Sequence, residues 1–303
     1  MGSDFVNYNT QCDTKYTRHN KIIHVFDAKS ENMDVETVKA FGDEWTKFDK
    51  FDDKDITDIA GTHYFDIINL NSLKNKNVLD VGCGTGRWSK FISKYAGTVD
   101  AIDPSIAVDS AAYLLQNVDN VRLSKAPADH LPFADNVFDL VFSLGVLHHI
   151  PDTKLAMKHC VSKVKKGGIF LVYLYYKLDN RGVAFRSIFK LSNVLRRGIS
   201  SMPSPIKNSV CDILSVLVYL PFIGMSKGFK SIGLNKVSQS IPLHFYVGKS
   251  FHIIRNDTRD RFGTPLEQRF SKQEITEMMK EVGLTNIVFS ENEPYWHAVG
   301  TKA

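Results

Sequence analysis

The chain has 303 residues, 43% of them hydrophobic and 23% charged, as in an ordinary soluble globular protein with room for one core and an appendage. Its cysteines are far apart and form no CxxC pair, which excludes a disulfide framework and a zinc site; they are Cys12, Cys83, Cys160 and Cys211. No metal is expected. The N-terminus lacks the apolar stretch of a secretion signal, so the expected location is the cytoplasm.

The formal net charge of +5 is distributed unevenly along the chain. Between Arg181 and Arg261 there are 13 Lys and Arg residues against 3 Asp and Glu residues, a net charge of +10, which leaves −5 for the remainder. This asymmetry indicates a basic region on a slightly acidic body, and it suggests that an anionic substrate or surface approaches that region.

Residues 1–70 are predicted to form an N-terminal helical cap segment. The first 30 or so residues are expected to be loosely structured. Apolar residues then recur at helical spacing from "DVETVKAFGDEWTKFDKF" to "DIAGTHYFDIINL", which predicts two or three short helices. Trp45 in this segment is predicted to be a core residue, with coverage of a cofactor as the alternative.

The pattern changes after residue 70 to short β-rich runs that alternate with amphipathic segments. The runs are "NVLDV" (77–81), "TVDAID" (98–103), "NVRLS" (120–124), "VFDLVFS" (137–143) and "GIFLVYLYY" (168–176). Such alternation is typical of βαβ units and a parallel sheet. We therefore assign residues 71–176 to the core domain, together with residues 266–303.

Residues 177–265 interrupt the alternation and are predicted to form an inserted helical lid, basic and apolar, that serves as the substrate region. The apolar run "ILSVLVYLPFIG" within it is about a dozen residues, fewer than the roughly 20 that cross a bilayer. A buried helix of the lid is therefore favoured over a membrane anchor.

The last part of the core is predicted to be a helix followed by a hairpin. Ser271 and Glu274 form an S-x-x-E capping box, and Gly283 ends the helix. "LTNIVFSENEPYWHAVGTK" then gives two strands joined by a short polar turn, and strands so close in sequence must be antiparallel.

A glycine-rich loop follows the first core strand in "DVGCGTG", residues 80–86. Compared with the dinucleotide fingerprint G-x-G-x-x-G, the third glycine comes one residue early and Arg87 takes its place. Asp80 before the loop would repel a pyrophosphate but suits an ammonium group, and Asp103 after the next strand can accept hydrogen bonds from ribose hydroxyls. The pattern favours a cationic nucleoside over a dinucleotide.

These residues resemble the class I S-adenosylmethionine-dependent methyltransferases, in the branch that includes ubiquinone-type methyltransferases. "VLDVGCGTGRW" resembles the cofactor loop, "AIDPS" the ribose-binding acid, and "ADHLPFADNVFDLVFSLGVLHHIPD" the fourth strand with the segment before it. The resemblance implies an α/β fold with a Rossmann-like, seven-stranded, mostly parallel sheet of order 3-2-1-4-5-7-6. Strand 7 is antiparallel in that fold, which agrees with the closing hairpin.

The resemblance also implies the residues that bind S-adenosylmethionine. Asp80 is expected near the methionine amino group, Asp103 at the ribose, Asp129 beside adenine and Leu144 near the sulfonium. Many relatives have an acid where this chain has Pro127, so adenine recognition is expected to depend on Asp129 and backbone amides. The full predicted cofactor set is Asp80, Gly82, Cys83, Gly84, Asp103, Pro104, Ala128, Asp129 and Leu144.

Methyl transfer requires alignment of donor and acceptor, exclusion of water and, for a hydroxyl acceptor, removal of a proton. His148 and His149 follow the fourth strand and are the candidate general bases, of which at most one can face the site. Alternation places Tyr173 and Tyr175 on one face of the fifth strand and Tyr176 on the other, and core packing is the favoured role for them, with substrate contact as the alternative. The predicted substrate-binding residues are Tyr175, His244, Tyr246 and Arg261.

The expected function is O-methylation of a small metabolite or of a sugar or natural-product intermediate. N- or C-methylation of a small or lipid-like molecule is one alternative, a non-catalytic cofactor-binding scaffold is another, and a nicotinamide-dependent oxidoreductase is disfavoured by the glycine spacing. An anionic small molecule is the expected partner of the basic region, and peripheral membrane contact is less favoured. No nucleic-acid partner is expected, because the chain has no basic–aromatic interleaving of the usual kinds. The oligomeric state is not predicted.

Overall fold

A computed structural model describes residues 4–47, 63–177 and 193–303 of the chain. It divides into two compact units, Met1–Asn180 with Leu266–Ala303, and Arg181–Pro265. The predicted helical turns between residues 48 and 62, and the first part of the insertion, residues 178–192, lie outside the described residues.

The first unit is built on a nine-stranded sheet. The strands are β1 (Thr14–Arg18), β2 (Lys21–Val25), β3 (Asn77–Val81), β4 (Thr98–Ile102), β5 (Val121–Lys125), β6 (Phe138–Leu144), β7 (Val164–Tyr173), β8 (Leu284–Phe289) and β9 (His297–Lys302). Their order is β1-β2-β5-β4-β3-β6-β7-β9-β8. The five neighbouring strands β5, β4, β3, β6 and β7 are parallel to one another. Strand β9 is antiparallel to both of its neighbours, β7 and β8. The predicted fold class and the order of the seven core strands are confirmed.

Two strands that the sequence did not predict extend the sheet at its β5 edge. β1 and β2 form an antiparallel hairpin, and β2 pairs in parallel with β5. The turn between them uses His19 and Asn20, whose φ angles of 45° and 64° are positive, as a tight two-residue hairpin turn requires. The prediction that the first 30 or so residues of the N-terminal segment are loosely structured is therefore wrong for residues 14–25, because edge pairing with β5 orders a stretch whose own pattern is weak.

Helices cover both faces of the sheet. They are α1 (Val35–Lys47), α2 (Arg87–Ile92), α3 (Ala107–Leu114) and α4 (Thr153–Lys163). Alternate residues of each core strand point to opposite faces, so Val78 and Phe142 join one buried cluster while Leu79 and Val141 join the other. The core therefore has two halves, and the loops after the carboxyl ends of β3, β4, β5 and β6 meet at one edge.

The C-terminal part of the first unit follows its prediction closely. Ser271 caps the helix that runs over Lys272–Glu281, and its backbone N–H donates to Glu274 Oε2 at 2.7 Å while Ser271 Oγ accepts from Glu274 N at 3.2 Å. Gly283 follows with a φ of +89°, the left-handed conformation that ends a helix. The capping box thus directs the chain into the β8–β9 hairpin.

The second unit is helical. Residues 193–200 are helical, and α5 (Ser204–Leu214), α6 (Leu220–Ser231), α7 (Asn235–Ser240) and α8 (Phe251–Gly263) follow. The helix of the capping box in the first unit is numbered α9 (Lys272–Glu281). The core of the second unit consists of Ile199, Cys211, Tyr219, Ile223, Ile254 and Phe262. Asp212 on α5 accepts bidentate hydrogen bonds from Arg255 and Arg259 on α8, which fixes the two helices against each other.

A single apolar helix runs through α5 and α6, over Pro205–Ser231. A π-helical turn at Ser215–Tyr219 joins the two helices, because Pro221 has no N–H to donate to the preceding turn. The helix has 27 residues, and only 22% of its most apolar window is buried. The prediction that the apolar run forms a buried helix is therefore wrong in burial, and the residues that flank the run continue the same helix.

Candidate active site

The glycine loop connects the end of β3 to the start of α2, and all three of its glycines have positive φ angles. A Cβ on Gly82 would lie 2.5 Å from Val146, and one on Gly86 would lie 2.7 Å from Leu115. Both glycines are therefore required for packing. A Cβ on Gly84 would meet nothing closer than Trp45, at 3.7 Å, so Gly84 is the position at which the loop backbone is open to a ligand.

Asp80, the last acid before the loop, is almost completely buried on β3. Its Oδ2 accepts a hydrogen bond of 2.6 Å from Ser89 Oγ on α2. The pKa of the Asp80 carboxyl is raised from 3.8 to about 7, chiefly by burial and in smaller part by nearby Asp103, although the Ser89 bond and Arg87 act in the opposite direction. A cationic group next to Asp80 would restore its charged form.

Asp103 follows β4 and faces the same loop. Its Oδ2 accepts from the backbone N–H of Gly84 at 2.9 Å, and its Oδ1 accepts from the N–H and the hydroxyl of Ser105, at 2.8 and 2.6 Å. The carboxylate is held rigidly beside the open backbone of Gly84, and the lone pairs not used in these bonds remain for hydroxyl donors. This arrangement is consistent with the predicted ribose contact.

Asp129 lies in the turn after β5 and is fixed by the N-terminal segment. Its Oδ2 accepts from Ser30 Oγ at 2.8 Å and from the backbone N–H of Asn32 at 3.2 Å. Asn32 in turn exchanges hydrogen bonds with the backbone of Asp152. The other oxygen, Oδ1, is buried and has no hydrogen-bond partner among the described residues, so the chain holds one acceptor ready for a donor that it does not itself provide.

Trp45 and Arg87 form a cover over the glycine loop. The Arg87 guanidinium lies 5.0 Å from the Trp45 ring centroid and 4.5 Å from that of Trp88. Trp45 is partly buried and is the side chain next to Gly84. The prediction of Trp45 as a core residue thus holds only in part, and its contact with the loop agrees with the alternative that was considered.

The two histidines lie in a short 3₁₀ turn, Leu147–His149, directly after β6. His149 Nδ1 donates to the carbonyl of Leu266 at 2.7 Å, and its ring packs edge-on against Phe41. His148 is fully buried, and neither of its ring nitrogens has a hydrogen-bond partner among the residues that the structure describes. Burial, with His149 and Arg269 nearby, lowers the pKa of His148 well below 6.5, so the imidazole is neutral.

Aromatic rings surround His148. Tyr175 stacks on it with ring centroids 3.9 Å apart, and Tyr173 is 6.4 Å away. Tyr173 and Tyr175 are neighbours at 5.8 Å, whereas Tyr176 packs against Tyr295 on the other side. The structure therefore places the tyrosines on the two faces that alternation predicts.

The remaining predicted cofactor residues lie at the same edge of the sheet. Leu144 ends β6 opposite Tyr173 of β7, Pro104 follows Asp103, and Ala128 precedes Asp129. Cys83 is buried in the glycine loop, where its backbone N–H and that of Gly82 donate to the carbonyl of Ile102. Any ligand contact by Gly82 would thus use its carbonyl oxygen.

Three of the four predicted substrate residues belong to the second unit. His244 and Tyr246 lie in a 3₁₀ turn, and Tyr246 packs against Tyr219 with ring centroids 5.7 Å apart. Burial raises the pKa of Tyr246 well above 10, with Asp257 contributing. Arg261 is near the end of α8. Tyr175 is in the first unit, and the role of all four toward an acceptor stays a prediction.

Sequence reasoning did not identify Ser89, Ser30 or Asn32, which orient Asp80 and Asp129. Ser89 lies nine residues after Asp80 on the first turn of α2, a spacing that the strand–loop–helix pattern could have indicated. Ser30 and Asn32 are about 100 residues from Asp129, and no local pattern links them.

The polar groups at this edge fit S-adenosylmethionine. A buried carboxyl at Asp80 suits an ammonium group, the fixed carboxylate of Asp103 suits a ribose diol, and the unpartnered Asp129 Oδ1 suits the amino group of adenine. Gly84 leaves room for close approach of a ligand. The residues are therefore those that would hold this cofactor.

Comparison with known proteins gives a family match to the part of the chain that contains this edge of the sheet. Residues 79–172 match the family described as a methyltransferase domain. The chain is 28% identical over 171 residues to a tRNA U34 carboxymethyltransferase of Nautilia profundicola, covering 53% of this chain and 56% of the relative. It is 31% identical over 127 residues to a ubiquinone biosynthesis O-methyltransferase of Rhizobium leguminosarum bv. trifolii, covering 41% of this chain and 49% of the relative.

The chain spans about half the length of these curated relatives. Among solved structures, human N-acetylserotonin methyltransferase in complex with S-adenosylmethionine is similar with a TM-score of 0.51 and 13% identity, over 87% of this chain and 56% of that chain. At this identity the likeness concerns the fold.

Proposed function

We propose that this chain transfers a methyl group to a hydroxyl of a small molecule. The premise is that residues 79–172 make it a member of the class I S-adenosylmethionine-dependent methyltransferases. The predicted family and cofactor are confirmed by the domain match. The acceptor and the methylated atom are the proposal.

The observation that carries the choice of oxygen is the state of His148. It is a neutral, fully buried imidazole with both ring nitrogens unpartnered among the described residues, in the turn after β6. Burying such a group without a partner costs about 1–3 kcal/mol, which favours a role for it in contact with a ligand. His149 is committed to the Leu266 carbonyl and is the less suitable base.

The chemistry of the side chains follows from this arrangement. The cofactor, when bound, supplies a methyl group that is already activated by a positive sulfur. His148 would accept the proton of an acceptor hydroxyl, a contribution worth about 10²–10⁴ in rate. Tyr175, stacked on His148, would fix the plane of the imidazole, and the aromatic surroundings would exclude water.

The alternatives make different demands on His148. An amine acceptor that is neutral needs no base before attack, and a carbon acceptor needs one only if a C–H proton is removed. Modification of tRNA is a candidate because of the function named for the Nautilia relative and because the inserted unit is basic. A non-catalytic scaffold would bind the cofactor and turn over none of these acceptors.

The experiment combines binding and turnover with the full chain. Titration with S-adenosylhomocysteine and with NADH is expected to show binding of the first alone. Labelled S-adenosylmethionine is then incubated with hydroxyl, amine and tRNA acceptors, and transfer to hydroxyl acceptors that is lost in His148→Gln supports the proposal. Transfer to amines or tRNA that His148→Gln leaves intact would contradict it.

A matched pair of glycine variants controls for folding. Gly84→Asp places a side chain into the open loop at a φ of +52°, and Gly167→Asp does so in open space at a φ of +72°. Both variants carry backbone strain, so loss of cofactor binding in Gly84→Asp alone assigns the site. A biological role that survives Gly84→Asp would favour the scaffold.

A further inference from the structure

The inserted unit exposes an unusual amount of apolar surface on the helix of α5 and α6. Ile213, Leu217 and Met225 are 55%, 68% and 53% exposed, and Ile232 after α6 is 68% exposed. Further exposed apolar side chains lie in the same stretch: Ile206, Val216, Val218, Leu220, Phe222, Leu234 and Val237. A patch of this kind marks an interaction surface on a protein in water.

The opposite side of the same helix is already used. Cys211, Ser215, Tyr219 and Ser226 are buried, and Cys211 and Tyr219 belong to the core of the second unit. Ser226 also exchanges hydrogen bonds with Ser238 of α7. A helix with one face packed against its own unit and the other apolar face exposed is suited to lie along a surface.

The length of the helix does not make it a membrane-spanning segment. With 27 residues it measures about 40 Å, enough to cross a bilayer. Asp212, in the first third of this helix, is nevertheless paired with Arg255 and Arg259 of α8. Insertion across a bilayer would bring these charges into hydrocarbon, at a cost of several kcal/mol for each.

The charged side chains within the apolar stretch have one sign. No Asp or Glu occurs between residues 213 and 256, whereas five Lys and Arg residues do. Lys227, Lys230 and Lys236 are exposed within the apolar stretch, and they form no ion pair with any acidic side chain that the structure describes. The adjacent acid, Asp212, is neutralised by two arginines. Such a surface is complementary to a layer that is apolar inside and anionic outside.

We propose that the exposed face of residues 213–237 docks the protein on an anionic lipid membrane surface. The apolar side chains enter the boundary between headgroups and acyl chains, and the three lysines contact anionic headgroups. The inference does not depend on the proposed function, since it concerns only the second unit. It also revises the sequence-based preference for a small anionic partner of the basic region.

The test is flotation of the full-length protein with phosphatidylcholine vesicles that contain or lack phosphatidylglycerol. Binding to the anionic vesicles alone, weakened by salt, is expected. Each lysine at an anionic surface contributes about fivefold to partitioning, so reversal of all three should reduce it by at least about 100-fold. The variant is Lys227→Glu/Lys230→Glu/Lys236→Glu. Leu217→Ser with Met225→Ser is expected to reduce binding without a change in charge.

A matched control reverses three exposed lysines of the first unit, in Lys158→Glu/Lys166→Glu/Lys280→Glu. It has the same net charge as the first triple variant and should bind as the wild type does. Equal loss in both triple variants, or no binding to anionic vesicles, would overturn the proposal. So would a concentration-dependent dimer in light scattering that the Leu217→Ser/Met225→Ser variant abolishes, or membrane association that resists salt and alkaline washing.

The fate of the proposed function can be read separately. Affinity for S-adenosylhomocysteine should be the same in all these variants, because their substitutions are outside the glycine loop. Failure of vesicle binding with intact cofactor binding would therefore refute only the membrane inference.

Discussion

Replacement of Asp80 by asparagine is expected to stabilise the ligand-free protein above neutral pH and to weaken cofactor binding. Asp80 is 1% exposed, and its pKa is raised to about 7, chiefly by burial. One of its two carboxyl oxygens, Oδ2, accepts a hydrogen bond from the Ser89 hydroxyl, and the side-chain oxygen of asparagine can accept the same bond. The substitution therefore removes the charge with little change in shape.

The magnitude follows from the difference between the folded and unfolded pKa values. Because the folded value is the higher one, the stabilisation from Asp80 is fully present below about pH 4 and is lost as the pH rises through 7. A shift from 3.8 to about 7 corresponds to about 4 kcal/mol. The asparagine variant lacks this loss, so its advantage in the free energy of unfolding should increase by up to that amount between pH 4 and pH 7 and then remain constant.

Urea denaturation of both proteins across this pH range measures the effect. Asp139→Asn is the control, because burial raises the pKa of that carboxyl but hydrogen bonds from Lys165 and Asn77 outweigh it and hold the pKa below its usual value. Its stabilisation is present at neutral pH and is lost as the pH falls. If the curves of wild type and Asp80→Asn run parallel from pH 4 to pH 8, the account of Asp80 is refuted.

The same carboxyl should make cofactor binding pH-dependent. An ammonium group binds the ionised form of Asp80, so affinity for S-adenosylhomocysteine should fall about tenfold for each pH unit below 7 and be constant just above it. Calorimetry at several pH values tests this, and a pH-independent affinity in the wild type would mean that Asp80 does not face the ammonium group.

His148→Gln is expected to lower kcat by about 10²–10⁴-fold with unchanged affinity for S-adenosylhomocysteine, and a normal kcat would exclude His148 as the general base. The lowered pKa of His148 also predicts that the wild type loses stability as the pH falls below 6.5, and the variant should lack this loss. Asp129→Asn should bind S-adenosylhomocysteine about tenfold or more weakly and favour its inosine analogue, whose carbonyl accepts where adenine donates, and an unchanged ratio of the two affinities would exclude the adenine contact. Gly82→Ala should cost about 2–4 kcal/mol in urea denaturation because its Cβ would meet Val146, whereas Gly167→Ala, in open space, should cost about 1 kcal/mol; similar costs for both would contradict the packing role of Gly82.

The core of the fold could be predicted because its signals are local. The buried strands β3, β4 and β6 are short apolar runs, and the capping box at Ser271 fixes the start of α9 within one residue. The polar turn before β9 forces an antiparallel pair. Each of these features depends on residues within a few positions of one another, and their combination determines the strand order.

The features that the sequence did not reveal depend on long-range contacts. β2 is a strand because β5 offers a free edge about 100 residues later, and Asp129 is fixed by Ser30 and Asn32 across a similar distance. The exposure of Leu217 could not be predicted either, because periodicity shows that a helix is apolar but not which of its faces finds a partner.

The candidate site is identified most firmly by two groups that destabilise the fold. Asp80 is an acid whose ionised form is disfavoured by burial, and His148 is an imidazole whose two nitrogens have no described partner. Both lie just before or after the carboxyl ends of adjacent strands, β3 and β6, where loops of a parallel sheet converge. A chain selected for stability alone would replace each with an apolar residue of similar size. The free energy lost by burying Asp80 and His148 on neighbouring strands is therefore best explained by two ligands that bind side by side. One would place a cationic group beside Asp80, and the other a proton donor beside His148.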